Sequence, residues 1–190
     1  MSEIFEIVGY HATDTEFVSD ILNNGFKFKN NPKHWLGNGI YFFTEEELAQ
    51  YWTKGPTKTF GAEINKPAII KANIECEGKH VYDLRIPSTY LKAKKAENEF
   101  KEYVDNIGVQ QEYTPEQARC MFFEMLKKQV VIDGCPILAI IACFYKPHPT
   151  YLDVYYNILC HIENKDISII LPEIQICVCS NDVIIGKELV

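Results

Sequence analysis

The chain has 190 residues, 47% hydrophobic and 24% charged, the proportions of an ordinary globular domain rather than a disordered or membranous chain. It holds enough apolar material for a real core, so no disulfide or metal staple is required. The net charge of −7 argues against a broad basic face for duplex DNA, because phosphate neutralisation supplies most of such affinity, but it leaves room for a local basic groove. The first predicted element is a strand over "IFEIVGYHAT", followed by a helix over "DTEFVSDILNNG". Phe17, Ile21 and Leu22 recur there at helical spacing, and Asn24-Gly25 is a stop. A polar loop, "FKFKNNPKHWLGN", leads to a short strand over "GIYFF". Thr44 followed by Glu45, Glu46 and Glu47 predicts a capped helix over "TEEELAQYW", with acid at its positive end.

After the loop "GPTKTFGAEINKPA", the run "AIIKANIECEGKHVYDL" reads as strand, turn and a second short extended piece. "STYLKAKKAENEFKEYVDNIG" is an exposed charged helix ending at Gly108. "TPEQARCMFFEMLKKQV" carries Thr114 as cap, Pro115 at the first helical position and Gln117 closing the capping box. "CPILAIIACFY" reads as a buried strand, and "PTYLDVYYNILCHI" fits either a helix or a strand. One or two strands around Pro172 end the chain. Strands and helices mix without regular alternation, which predicts one α+β domain over residues 1–190 with a largely antiparallel sheet core and flanking helices.

Seven cysteines, an odd number without C-x-x-C spacing, read as reduced core thiols rather than disulfides or a metal site. The N-terminal "MSEIFEIVGYH" lacks the basic end and long apolar core of a signal peptide. The longest apolar run is shorter than the roughly 20 residues that cross a bilayer. A cytoplasmic protein without membrane attachment is therefore expected.

Three local features carry chemistry. Gly37-Asn38-Gly39 precedes its strand and no third glycine follows, so it is not a dinucleotide fingerprint; it predicts a tight turn that a ligand can approach closely. His11 ends the first strand, where side chains commonly face a cleft, and either Thr13 or Asp14 can cap the helix that follows. No Gly-x-Ser-x-Gly elbow is present for a serine nucleophile. In "LPEIQICVCS", alternation puts Glu173, Gln175, Cys177 and Cys179 on one strand face and Ile174, Ile176 and Val178 on the other. Glu173 heads an apolar strand, so it sits either in solvent at the strand end or in a cleft against a ligand.

Together, "YHAT", "GNGIYFF", "AQYW" and the late "PEIQ" resemble the ADP-ribosyltransferase superfamily, on the branch of poly(ADP-ribose) polymerases and diphtheria toxin. The resemblance is best over residues 8–52 and thinner over 170–184, and implies a split, mainly antiparallel sheet. It implies that His11, Tyr41 and Glu173 are the catalytic triad and that NAD is the co-substrate, with no metal. His11 would bond the adenosine ribose, the Ala12 backbone would hold the carboxamide, and Thr13 and Gly39 would flank NAD. Tyr41 and Tyr51 would stack on the nicotinamide. Glu173 would bond the 2′-hydroxyl of the reacting ribose and face the developing cation. The family's His-Gly-Thr is His11-Ala12-Thr13 here, and Leu48 or Ala49 stands where the polymerases place a serine.

A bare domain of this size resembles mono-ADP-ribosyltransferase toxins and defence effectors, which implies a protein or nucleic-acid acceptor and a neutralising partner protein. Gln175 would orient the acceptor. Lys27, Lys29, Lys33, Lys54 and Lys58 read either as solvated loop charge or as a basic rim. Two other activities fit the same resemblance: a non-catalytic NAD or ADP-ribose binding module, and an RNA 2′-phosphotransferase using residues such as His34, His80 and Arg85.

Overall fold

A computed structural model of the protein describes residues 3–54, 64–106, 113–129, 135–145 and 172–190. Strand β1 (Ile4–Asp14) runs directly into helix α1 (Thr15–Asn24). Asp14 is the cap: its carboxylate accepts from the Glu16 N–H at 3.3 Å, satisfying one of the amides that a helix start leaves open. Gly25 stops the helix with φ at 87° and donates its N–H to the Ile21 carbonyl at 3.0 Å. Val18 and Ile21 are the buried positions of α1, whereas Phe17, expected on the core face, is 43% exposed.

β2 (Ile40–Phe43) leads into α2 (Glu46–Lys54). That helix starts later than its cap motif predicts. The Thr44 N–H donates to the Ile174 carbonyl at 3.4 Å, so Thr44 still serves the sheet, and the first helical bond runs from Ala49 N–H to the Glu45 carbonyl. β3 (Pro67–Glu77) and the short β4 (Val81–Asp83) are joined by a 3-10 turn. Helices α3 (Pro87–Asn106) and α4 (Pro115–Gln129) follow, then β5 (Ala139–Tyr145), β6 (Pro172–Val178) and β7 (Ile184–Leu189). The segment "PTYLDVYYNILCHI" with Cys160, the helix end at Gly108, and Lys58 lie outside the described residues.

The capping box of α4 forms as its sequence predicts. Thr114 N–H donates to Gln117 Oε1 at 2.9 Å and Gln117 N–H donates to Thr114 Oγ1 at 3.3 Å. Thr114→Ala is expected to cost about 1 kcal/mol, seen as a drop of roughly 2–4 °C in Tm for a domain of this size.

The described strands form one sheet in the order β4-β5-β6-β2-β1-β3-β7. Every neighbouring pair is antiparallel except β4 with β5. The chain is thus α+β with a mainly antiparallel sheet. Pairing is uneven along it. β1 pairs with β3 from Ile4 opposite Glu77 to Asp14 opposite Pro67, but with β2 only where Tyr10 meets Phe43. The β1–β2 seam is therefore the loosest joint of the sheet.

Strand alternation distributes side chains to opposite faces. Ile40 and Phe42 of β2, Ile176 and Val178 of β6, and Ile70, Ala72 and Ile74 of β3 pack with Ile21 of α1 and with Phe26. On the other face Cys177 and Ile140 pack with Phe122, Phe123 and Leu126 of α4 and Ala93 of α3. A third cluster joins Phe43 and Ile69 to Ala49 of α2. Cys120 and Cys177 are buried free thiols, while Cys76, Cys135, Cys143 and Cys179 are free but only half-buried. Among the described residues no helix is long and apolar enough to cross a membrane, and no cluster of three His, Cys, Asp or Glu side chains is placed to hold a metal ion.

Candidate functional site

A cleft of about 380 Å³ is lined from both sides of the β1–β2 seam, within the size range of small-molecule sites. His11, Ala12 and Thr13 come from the end of β1, and Gly39 and Tyr41 from the start of β2. Gln175 of β6 lines it as well. Residues that the sequence singled out 30 and more positions apart thus share one cavity.

His11 is held across the seam. Its Nδ1 lies 2.8 Å from the Tyr41 carbonyl oxygen. A carbonyl only accepts, so Nδ1 carries the proton, and in the neutral ring Nε2 is left as an acceptor. Burial pushes the His11 pKa below its usual value and Lys29 adds to this, while the bond to the Tyr41 carbonyl opposes it. The neutral ring therefore prevails at neutral pH. Phe26 meets it edge-on at 5.0 Å, and Phe42 is tilted to it at 5.7 Å. Phe26 is in turn pinned by Asn181, which accepts from its N–H at 3.0 Å and donates to its carbonyl at 2.9 Å.

A group whose folded pKa is depressed supports stability above its unfolded pKa and loses it as pH falls. His34, half-buried in the same cleft, is also lowered, chiefly by burial. Stability is expected to be flat between pH 8 and 7 and to fall below about pH 6.5, by up to ~1.4 kcal/mol per pH unit for each histidine that stays neutral. Denaturant titrations across that range check it, and His11→Gln is expected to flatten the slope.

Tyr41 is fixed by its own loop. Its hydroxyl accepts from the Leu36 N–H at 2.8 Å and donates to the Gly37 carbonyl at 2.7 Å. Burial pushes the phenol far above its usual range, so it stays neutral. Gly37 has φ at 76°, the turn conformation that glycine adopts without strain. Gly39 answers to space instead: a Cβ there would run into Cys177 Sγ and lie 2.8 Å from the Val178 carbonyl oxygen.

Two expected site residues lie elsewhere. Tyr51 does not line the cleft; Trp52 does. Successive helix residues point about 100° apart, and Ala49 and Trp52, one turn apart, take the inward side, with Trp52 stacked on Phe43 at 5.7 Å. Glu173 is neither in solvent nor at the cleft wall. It is 1% exposed and accepts a hydrogen bond from Gln175 Nε2, and it is Gln175, two residues on along the same strand face, that lines the cleft. Leu48 and Ala49 pack in the third core cluster. Of the basic residues, Lys27 and Lys29 line the cleft. Lys27 is paired with Asp20 at 2.6 Å, and Lys29 sits 5.7 Å over the Phe17 ring. Lys33 is exposed and outside the lining, and the side chain of Lys54 lies outside the described set.

Sequence reasoning missed several wall residues. Trp35 lines the cleft, with the Arg119 guanidinium 5.2 Å from its ring and Phe144 edge-on at 4.6 Å. Asp14 also lines it. Its carboxylate accepts from Lys66 N–H at 3.0 Å and Asn65 N–H at 2.7 Å, and these amides hold its pKa below the usual range. The "KHWLGN" run carried an aromatic signal that would have flagged Trp35; Asp14 looked only like a cap. His34 Nδ1 is buried with no hydrogen-bond partner among the described residues, in a side chain that lines the cleft.

No family model matches the chain, and no solved structure matches it. The chain is similar to the uncharacterized protein MJ0359 of Methanocaldococcus jannaschii, 36% identical over 76 residues, which are 40% of this chain and 36% of that protein. The match thus spans little more than a third of the relative's length.

Proposed function

We propose that the protein is an NAD-dependent mono-ADP-ribosyltransferase, which moves ADP-ribose from NAD to a macromolecular acceptor, protein or nucleic acid, and releases nicotinamide. One observation carries this reading: His11 and Tyr41, the residues of two separate motifs, meet in one aromatic cleft with the His11 ring held by the Tyr41 carbonyl. The bond between nicotinamide and ribose breaks with its electron pair leaving on nicotinamide. The anomeric carbon then bonds to the acceptor nucleophile, which loses a proton. The intervening cation resembles that of glycoside cleavage.

Each wall has a role in that chemistry. His11 Nε2 accepts from a ribose hydroxyl. Tyr41, Trp35 and Trp52 offer ring faces and edges to flat heterocycles. Glu173 acts from one bond behind the wall. Its carboxylate takes the Gln175 Nε2 donor, which strengthens the amide oxygen of Gln175 as an acceptor beside the developing cation. In this account Gln175 meets the reacting ribose and Glu173 is its positioning residue. A cytoplasmic toxin or defence effector, held in check by a partner protein, is the setting that this chemistry suits.

A second reading, a non-catalytic NAD or ADP-ribose module, draws on the position of Glu173 behind the wall and on Leu48 and Ala49 in place of a serine. The RNA 2′-phosphotransferase reading loses two of its residues: His80 bonds the Pro136 carbonyl and Arg85 pairs with Asp83, and neither lines the cleft. Incubation with NAD separates the first two. Nicotinamide release supports transfer, whereas calorimetric binding without release supports the module.

A further inference from the structure

The turn that ends at Gly39 carries much of one cleft wall. His34, Trp35 and Gly39 line the cleft, and Tyr41 follows two residues later. This turn is held by a helix far away in sequence. Asn38 N–H donates to Glu124 Oε1 of α4 at 2.7 Å. Lys127 Nζ, one helical turn further, donates to the Asn38 carbonyl at 2.6 Å and to the same Glu124 oxygen at 3.1 Å. Both backbone groups of Asn38 are therefore taken by one ion pair.

The pair is set into the fold. The Lys127 side chain is 11% exposed and that of Glu124 31%. Half-burial alone would raise the Glu124 carboxyl, but Lys127 and the Asn38 amide outweigh it and the net shift is downward, so it stays ionised. A Cβ on Gly37 would lie 2.5 Å from Glu124 Oε1 and 2.8 Å from Lys127 Nζ, so the pair fills the space a side chain there would need. The Tyr41 hydroxyl also closes the turn, through Leu36 and Gly37. Exposed i,i+3 pairs contribute little. Here the charges hold main-chain groups in a half-buried place, where charge-assisted hydrogen bonds are the strong ones.

We propose that Glu124 and Lys127 are positioning residues of the cleft: from α4 they fix the turn around Asn38 and so set the pose of Trp35 and Tyr41 that receives the ligand. Neither residue touches the cleft, and for its ligand the proposal rests on the NAD reading above. Loss of either partner frees the turn while leaving the β1–β3 pairing intact.

Two measurements on the purified protein test this. In the ligand-free state, hydrogen exchange of the Asn38 amide is expected to rise about tenfold or more in Glu124→Ala and Lys127→Met, the size of one lost charged hydrogen bond. Exchange at Ile7 and Ile74, inside the β1–β3 ladder, is expected to stay unchanged. With NAD, Kd and KM are expected to weaken by roughly tenfold with kcat changed less. Glu124→Gln keeps an acceptor for Asn38 and Lys127→Arg keeps a donor, so both are expected to recover most of the loss. Unchanged Asn38 exchange overturns the proposal, as does a uniform rise across the chain, which marks ordinary destabilisation. A selective rise with unaltered NAD affinity shows that the turn does not set the cleft, and also overturns it. If the wild-type protein binds no NAD, the ligand reading fails and the proposal's cleft role fails with it. A selective exchange rise would then leave only the hold on the turn.

Discussion

Glu173→Gln is expected to lower nicotinamide release by about 10²–10³ while NAD affinity stays within roughly threefold, the signature of an interaction realised in the transition state. The substitution is nearly isosteric, and the new amide oxygen still accepts from Gln175 Nε2, so that contact survives while the carboxylate is removed. Glu173→Ala is the less clean variant, because it leaves a cavity and strands a buried donor. The relay proposed through Gln175 makes a second demand. Gln175→Leu is expected to cost a similar factor, and the double variant little more than either alone, since the two residues act as one unit. Steady-state kinetics on the three proteins check this. Additive losses would place Glu173 and Gln175 in separate roles.

Phe42→Ala is expected to remove about 3–5 kcal/mol of stability, lowering Tm by on the order of 10 °C. Phe42 is fully buried, and its ring stands edge to Phe26 at 5.2 Å and tilted to His11 at 5.7 Å. Its backbone lies beside the seam, where a Cβ on Gly9 would come within 2.7 Å of the Phe42 Cβ. Truncation should therefore loosen the core and the site together. The His11 pKa, held down chiefly by burial, is expected to move back toward its usual value, which an NMR titration of the ring reads directly. A Tm within a degree or two of the parent, with an unmoved His11 titration, would separate the core from the site.

The elements were legible where local chemistry decides them. Thr114 and Gln117 form the box their spacing announces, Gly25 stops α1, and alternation along β6 sends Ile176 and Val178 one way and Cys177 the other. Failures came where tertiary contacts override local signals. Thr44 looked like a cap, but its amide serves the sheet. Phe17 looked like a core residue at helical spacing, but it lines the cleft. Tyr51 and Trp52 are adjacent aromatics on one helix, and the choice of which faces the cleft depends on where α2 packs. Glu173 could be recognised as out of place in an apolar strand, yet only the folded sheet shows that Gln175 and not Glu173 lines the cleft. Glu124 and Lys127 carry no signal of their role in the sequence, because nothing local announces that Asn38, 86 positions earlier, completes them.

The most direct test of the central claim is incubation of the protein with labelled NAD and a cell lysate, with nicotinamide and transferred label counted together. The expected result is label on a macromolecule in step with released nicotinamide, sensitive to protease or to nuclease according to the acceptor, and suppressed in Glu173→Gln. Absence of both release and transfer, with no change in the fluorescence of Trp35 and Trp52 on adding NAD, would contradict it.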